Sequence, residues 1–439
     1  MALRTARLLT VLVILCAMAT GLEWVPLSPR PRTLATIVLD APAHRAMLFG
    51  GGTYNEYLND VWTISWTPIG YRWDQLITSG APPVGRAGHS AVIDPIHNWM
   101  VIFGGRSVAG DALTDVYALD LGTATWQQLT PAGNHPSGSV FISAVYCPAR
   151  HSMIVFDGSD MSRGYDQVNE LLLDSMKWKK ISPSGTPPEA RWSYSIFLDP
   201  ADNRLIVFGG QTQSGQFVSD VWALKLTPGE EEWTQLNPGG SVPGGRSNCA
   251  TCYDQAGREA YFFGGFNYNQ GAYYNDLYML DMLTLSWTNV SPGGTLPSER
   301  RCAVGVFDQW NRNFLVYGGE DYYGYPGDWY SMNVGLLGVS DWHRTEPNQT
   351  TPWLRVTPVN SRQVSIRFFA PSSGMANVRV LDQSGRIVRN LLSGTTQAGN
   401  RELVWDGKDE RGRAVAAGGY FCYLETDQTG LSTKFVLAR

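Results

Sequence analysis

The sequence predicts an all-β chain: a six-bladed β-propeller followed by a small Ig-like β-sandwich. Three observations predict it. An apolar run closing on an aromatic residue and two glycines is written six times, at Phe49-Gly50-Gly51, Phe103-Gly104-Gly105, Phe156-Asp157-Gly158, Phe208-Gly209-Gly210, Phe263-Gly264-Gly265 and Tyr317-Gly318-Gly319. A tryptophan trails each copy, at Trp73, Trp126, Trp178, Trp233, Trp287 and Trp342. The spacing, roughly fifty residues, is that of repeated four-stranded units, and it stops near residue 345, where short alternating strands of another kind begin. One such unit cannot bury both its faces, so the copies must stack.

The bulk composition agrees. A chain of 439 residues is expected to hold two domains. Apolar residues, at 43%, suffice for a packed core, and charged residues, at 17%, fall below the average of about 25%. With 12% aromatics, 47 Gly and 25 Pro, the vocabulary is that of strands joined by turns. A net charge of -5 argues against a nucleic-acid partner, which needs a basic surface.

Residues 1–19 read as an export signal. Arg4 and Arg7 precede the apolar run Leu8 to Ala17, and Ala17-Met18-Ala19 fits the small-x-small cleavage rule. About a dozen apolar residues cannot cross roughly 30 Å of hydrocarbon, so no transmembrane span is expected in the mature chain. Cys16 follows the bulky Leu15, which disfavours lipidation. Cleavage leaves five cysteines. Cys249 and Cys252 lie in an extended run that sets them about 10 Å apart, too far for a disulfide. No second pair or nearby histidines complete a zinc site, so buried free thiols are expected.

Each copy, aligned on its glycines over residues 20–345, reads as four strands. The innermost, such as His89 to Ile93, leads to an Asp: Asp40, Asp94, Asp199, Asp254 and Asp308, with Cys147 in the third copy. Asp before Pro, as in Asp94-Pro95, starts a turn by bonding its own backbone. The second strand ends at the glycines, where the backbone needs positive φ or close approach to a neighbour. The third begins with an acidic, an apolar and an aromatic residue, as in Asp115-Val116-Tyr117, and the outermost carries the tryptophan. The double glycine, the later aromatic and the trailing Trp resemble the kelch repeat, in the form found in exported bacterial proteins. The third copy departs, with Asp157, Cys147 and Ser139 where the others have Gly, Asp and Arg. Glu23-Trp24 and Trp342 compete to supply the strand that closes the ring.

Residues 346–352 form a polar linker, and 353–439 alternate as a β-sandwich does, for example Val364, Ile366 and Phe368. The order Trp405-Asp406-Gly407-Lys408-Asp409, Gly418-Gly419-Tyr420 and a basic-apolar end resembles the Ig-like domain of the flagellar hook-capping protein, and equally the C-terminal sorting domains of type IX secretion cargo. That resemblance implies a partner in the secretion machinery and delivery across an outer membrane. The alternative is an ordinary Ig-like spacer. Asp406 and Asp409 read as a tight turn, since calcium loops need more ligands at fixed spacing.

Chemistry is sparse. Among six histidines only His89 falls on an inner strand; His97 and His151 fall in turns that do not converge with it, so no copper set like that of galactose oxidase is visible and no metal or other cofactor is expected. Asp120 to Trp126 resembles part of a sialidase Asp-box, but Ala118 stands where its Ser belongs. One constellation remains. Arg32, Arg86, Arg191, Arg246 and Arg300 recur just before the inner strands, at the end where the loops after Gly-Gly emerge. Those loops carry Tyr54, Tyr57, Tyr268, Tyr273, Tyr274, Tyr322 and Tyr323, and Tyr with Arg dominates recognition surfaces. The alternative role for the arginines is to tie blades through carbonyls or carboxylates. The reading favoured is a non-enzymatic binding or scaffold propeller, secreted or at the bacterial cell surface (periplasm as the alternative), whose loop face meets a protein or a surface glycan. The competing reading is a secreted carbohydrate-active enzyme on the same fold.

Overall fold

A computed structural model of the chain describes residues 28–334 and 353–437, apart from 68–69, 137–139, 157, 161, 292–295, 361–362, 371, 383–384 and 427–429. Residues 1–19, read above as an export signal, Ser139, Asp157 and both contenders for the closing strand lie outside the described residues. Helix is confined there to two single 3-10 turns, Pro148–Arg150 and Tyr268–Gln270. None of these is long or apolar enough to cross a membrane.

The repeat folds as the spacing predicts. In the first copy Thr36–Asp40, Arg45–Phe49, Val61–Thr67 and Gly70–Leu76 pair antiparallel in chain order, from inside to outside. Four more sheets follow the same order. The sixth shows three described strands, Val304–Asp308, Asn313–Tyr317 and Trp329–Asn333. The inner strands neighbour one another in succession, and that of the first sheet lies beside that of the sixth, so the six sheets form a closed ring.

The repeated aromatics hold neighbouring sheets together. Phe49 packs on Trp126 of the next sheet at 5.2 Å between ring centroids, Phe103 on Trp178 at 4.9 Å, Phe156 on Trp233 at 5.5 Å and Phe208 on Trp287 at 5.0 Å. Tyr317 of the sixth sheet meets Trp73 of the first at 5.2 Å, which closes the circle in the core. Each such pair adds about 0.5–1.5 kcal/mol to the burial of its area. The motif aromatic and the trailing Trp therefore recur together because, in the first four sheets, each supplies one half of two different contacts.

The double glycine has an equally local cause. Gly50 has φ +63°, and a Cβ there would stand 2.9 Å from the Arg86 carbonyl of the next sheet. The neighbouring backbone passes too close for any side chain.

The third copy compensates for its departures. Where the others have Asp, Cys147 is buried, and Arg150 beside it pairs with Glu170 at 2.6 Å and with Glu231 of the fourth sheet at 2.9 Å. All five cysteines among the described residues are free thiols, as expected.

The C-terminal domain is a two-sheet sandwich. Trp353–Asn360, Gln363–Ala370 and Gly399–Trp405 form one sheet; Ile387–Thr396, Gly374–Leu381, Gly418–Thr426 and Gly430–Leu437 form the other. Val364, Ile366, Phe368, Val378, Val380, Trp405, Cys422 and Leu424 fill the space between them. Asp409 closes the expected tight turn: its carboxylate accepts the Arg411 and Arg413 amides, both at 2.9 Å.

Candidate functional site

At the loop end the chain builds a backbone collar around the central channel. Leu34, Gly88, Phe141, Ser193, Asn248 and Cys302 all hold left-handed φ, between 55° and 66°. The amide of each donates to the carbonyl of another around the ring: Gly88 to Leu34, Phe141 to Gly88, Ser193 to Phe141, Asn248 to Ser193, Cys302 to Asn248 and Leu34 to Cys302, at 2.8 to 3.4 Å. Bulky residues seldom adopt this backbone. Here the closed hydrogen-bond ring over-determines it.

The recurring arginines sit just outside this collar, buried within the blades. Arg32, Arg86, Arg191, Arg246 and Arg300 are each at most 3% exposed. Arg86 Nη1 donates to the Gly104 carbonyl at 3.0 Å and to Asp115 Oδ1 at 2.6 Å; Nη2 donates to Asp115 Oδ2 at 3.0 Å. The same stitch joins Arg32 to Asp60, Arg191 to Asp220, Arg246 to Asp276 and Arg300 to Asp328. Burial pushes the Asp60 carboxyl upward, but the hydrogen bonds and charge of Arg32 outweigh it and hold the group below the usual carboxylate range. The tie through carbonyls and carboxylates, the alternative role given above for these arginines, is the arrangement found. They lie at the predicted end, but each guanidinium is spent on its own blade. Their backbones join neighbours: the Gly51 amide donates to the Arg86 carbonyl and the Gly319 amide to that of Arg32, both at 2.9 Å.

Because extended backbone alternates, the residue after each Arg, and Val140 at the equivalent place of the third copy, points the other way, toward the channel. It pairs through two backbone hydrogen bonds with the residue that follows Gly-Gly: Thr33 with Gly52, Ala87 with Arg106, Val140 with Ser159, Ser247 with Phe266 and Arg301 with Glu320. These positions frame a cavity of about 650 Å³ that draws lining residues from all six sheets. Eight aromatic rings stand among polar groups in its lining: Tyr54, Tyr57, Phe141, Trp192, Phe217, Phe266, Tyr268 and Tyr325. Arg106 lies over the Tyr57 ring at 5.5 Å and the Phe141 ring at 5.6 Å. It forms no ion pair among the described residues, and its buried Nε has no hydrogen-bond partner there. Arg301, over Phe266 at 4.8 Å, is instead paired with Glu320 at 3.0 Å. Glu320 is the one carboxylate among the described lining residues.

The predicted tyrosines divide. Tyr54, Tyr57 and Tyr268 line the mouth. Tyr273 and Tyr322 pack together at 4.4 Å, and Tyr322 donates to the Gly271 carbonyl at 3.0 Å, so they join the fifth and sixth loops. Tyr274 lies under Arg246 at 4.1 Å and belongs to the stitch. Tyr323, 96% exposed, stands free on the rim. Tyr54 stacks on Tyr325 at 4.3 Å, with Gly324 kept bare because a Cβ there would meet the Tyr54 hydroxyl. Residue-by-residue reading missed Arg106, Arg301, Trp192 and Phe266. The available signal was that the positions flanking the recurrent Arg and Gly-Gly vary from copy to copy within a constant frame.

His89 lies beneath the collar and does not serve the mouth. Its Nε2 meets the Thr36 hydroxyl at 2.8 Å, and burial, then the charge of Arg86, pushes its pKa down to about 3, so the ring is neutral.

Comparison with known proteins follows the same division of the chain. Residues 18–202 and 200–359 match the family described as the KLHDC2/KLHL20/DRC7 Kelch-repeats domain, and residues 360–430 match the FlgD Ig-like domain. Human kelch domain-containing protein 3 is 28% identical over 289 residues, which is 60% of this chain and 73% of that protein. Acyl-CoA-binding domain-containing protein 4 of Arabidopsis thaliana is 28% identical over 278 residues, 61% of this chain and 40% of the relative. Human host cell factor 2 is 32% identical over 243 residues, 51% of this chain and 29% of that protein. The chain thus spans well under half the length of two of these three. Among solved structures, that of YjhT aligns with a TM-score of 0.54 at 16% identity, over 71% of this chain and 97% of the other. On its repeats and on the family match over residues 18–359, the chain belongs to the kelch-repeat family.

Proposed function

We propose that the chain is an exported binding propeller whose loop-end mouth grips a protein segment, and whose C-terminal domain serves delivery or surface attachment. One observation carries the reading: a cavity of about 650 Å³, with eight aromatic rings in its lining, holds Arg106 stacked and without a counter-ion among the described residues. Aromatic walls supply contact area at low entropic cost, and Arg and Tyr make the strongest interface anchors. An unpaired cation among rings favours a segment that brings an acidic group, since a charge-assisted bond there is partly shielded from water. Among the described lining residues the carboxylate of Glu320 is tied by Arg301, whereas paired-carboxylate acid-base work needs a free partner beside it.

Export rests on the Arg4 to Ala19 signal pattern, and delivery on the Trp405 to Asp409 motif with the basic-apolar end. The test of the binding reading is a combined peptide and glycan array probed with the purified mature chain. Selection of acidic peptides, lost on Arg106→Ala, supports it. Selection of glycans with no peptide signal would transfer the mouth to a sugar ligand.

A further inference from the structure

At the end opposite the mouth, each sheet passes from its first to its second strand through a tight turn. Four residues after the Asp or Cys that opens this turn, the backbone is left-handed: His44, Asn98, His151, Asn203, Arg258 and Arg312 have φ between 42° and 57°. From that place a side chain reaches the Asp of the preceding sheet. Arg258 meets Asp199 at 2.6 Å and Arg312 meets Asp254 at 2.7 Å, each guanidinium neutralising a buried carboxylate. Asp94 has no Arg or Lys partner among the described residues. Two imidazoles take that place: His97 Nδ1 at 2.6 Å from Oδ2, and His151 Nε2 at 3.0 Å from Oδ1.

His151 is placed in an unusual way. Its Nδ1 lies 2.8 Å from Asp174 Oδ1, so a carboxylate stands at each ring nitrogen. A neutral imidazole has one N–H, and one of these contacts then sets a lone pair against an anion. A cation at Nε2 removes the conflict: Nδ1–H donates to Asp174, and Nε2 and Asp94 share the positive charge. An imidazole held from behind by a carboxylate is the usual setting of a metal-ligating histidine. The rings are held in orientation. His97 stacks on Trp99 at 4.5 Å and on His151 at 5.3 Å. Asp94 is fully buried, while the His151 and His97 side chains are 11% and 32% exposed, which gives an ion a way in from solvent.

We propose that Asp94, His97 and His151 bind a divalent transition-metal ion of zinc-like preference, forming a clip between the second and third blades. The three donor atoms lie within 4.8 Å of one another. A tetrahedral ion with bonds of about 2.0–2.1 Å sets its ligand atoms about 3.3 Å apart; the 2.6 and 3.0 Å contacts, made by different oxygens of Asp94, would open by less than about 1 Å, and the widest donor pair, within 4.8 Å, would close by up to about 1.5 Å. Two imidazoles and a carboxylate suit zinc and leave a fourth position to water. Asp94 and His97 come from one sheet and His151 from the next, so the bound ion would cross-link the ring.

The test uses the untagged mature chain, stripped with a chelator and titrated with zinc chloride near neutral pH. The fold-sparing variant is H97N/H151N, because the ring already contains those solutions. Asn311, at the place equivalent to His97, donates Nδ2 to Asp308 at 2.7 Å, and Asn98 and Asn203 hold the left-handed place of His151. Calorimetry should find one equivalent of zinc in the parent. At a hundredfold excess over Kd the melting temperature should rise by about 4 °C. Cobalt(II) in place of zinc should show the visible bands of a tetrahedral site. The double variant should melt like the stripped parent, lose the cobalt bands and bind zinc at least about 100-fold more weakly. Unchanged zinc affinity in the variant, or no heat and no thermal shift in the parent at 100-fold molar excess of zinc, would overturn the proposal. The cluster would then be held by a proton alone.

Discussion

Replacing Arg86 with Ala separates a structural stitch from a ligand contact. Arg86 is fully buried, and the change removes its bonds to both Asp115 oxygens and to the Gly104 carbonyl. Breaking a buried ion pair from one side costs about 3–5 kcal/mol, because the remaining charge stays uncompensated. The Asp115 side chain is 24% exposed, so water repairs part of the loss, and the lower end of about 3 kcal/mol applies. The propeller described here spans residues 28–334. With an unfolding entropy of about 2.1 cal/mol/K per residue, such a unit loses about 5 °C of melting temperature for that cost. The assay is thermal unfolding followed by near-ultraviolet circular dichroism, with Arg106→Ala as the control. Arg106 forms no ion pair among the described residues, so its variant should stay within about 1 °C of the parent. If Arg86→Ala melted like the parent while ligand affinity fell, the stitch reading would be refuted and the arginine ring would return as a ligand contact.

Three further outcomes follow from the same geometry. Asp60 and Glu170 are held below their ordinary pKa: burial raises both, and their arginine partners outweigh it. Each therefore stabilises the fold above the unfolded carboxylate pKa of about 4, and that contribution disappears as pH falls through the lower folded value, so melting temperature should drop steeply only under acid conditions. Tyr57→Ala should weaken ligand binding by about 1–2 kcal/mol with little change in melting, whereas Tyr322→Ala, which unties the fifth and sixth loops, should also lower proteolytic resistance there. Deleting residues 353–439 should leave a folded propeller that accumulates in the periplasm; normal amounts in the medium or at the surface would reduce that domain to a spacer.

The fold was largely legible because a repeat multiplies every signal. Phe49 and Trp126 each recur at a fixed place, and the structure shows why: they are halves of one contact between sheets. The Arg and Asp of five copies were equally visible, but their pairing was not, since Arg86 and Asp115 lie almost 30 residues apart and meet only when the third strand folds beside the second. The end of the propeller that carries the mouth could be read from strand direction alone. Its decisive residues could not, because Arg106, Trp192 and Arg301 occupy positions that follow no rule from copy to copy. The His97 and His151 turns were read as failing to converge with His89. Their convergence on each other at Asp94 arises because stacking places residues one repeat apart side by side.

Binding at the mouth is tested most directly by photo-crosslinking from two ends of the same molecule. A benzophenone amino acid in place of Tyr57 sits in the cavity wall, and one in place of Ile96 sits exposed at the opposite end. With the binding partner or the best array peptide present, crosslinks should form from position 57, fall on Arg106→Ala in the same background, and be absent from position 96. Crosslinks from position 96 alone, or crosslinks from 57 unaffected by Arg106→Ala, would contradict the assignment of the aromatic mouth as the binding site.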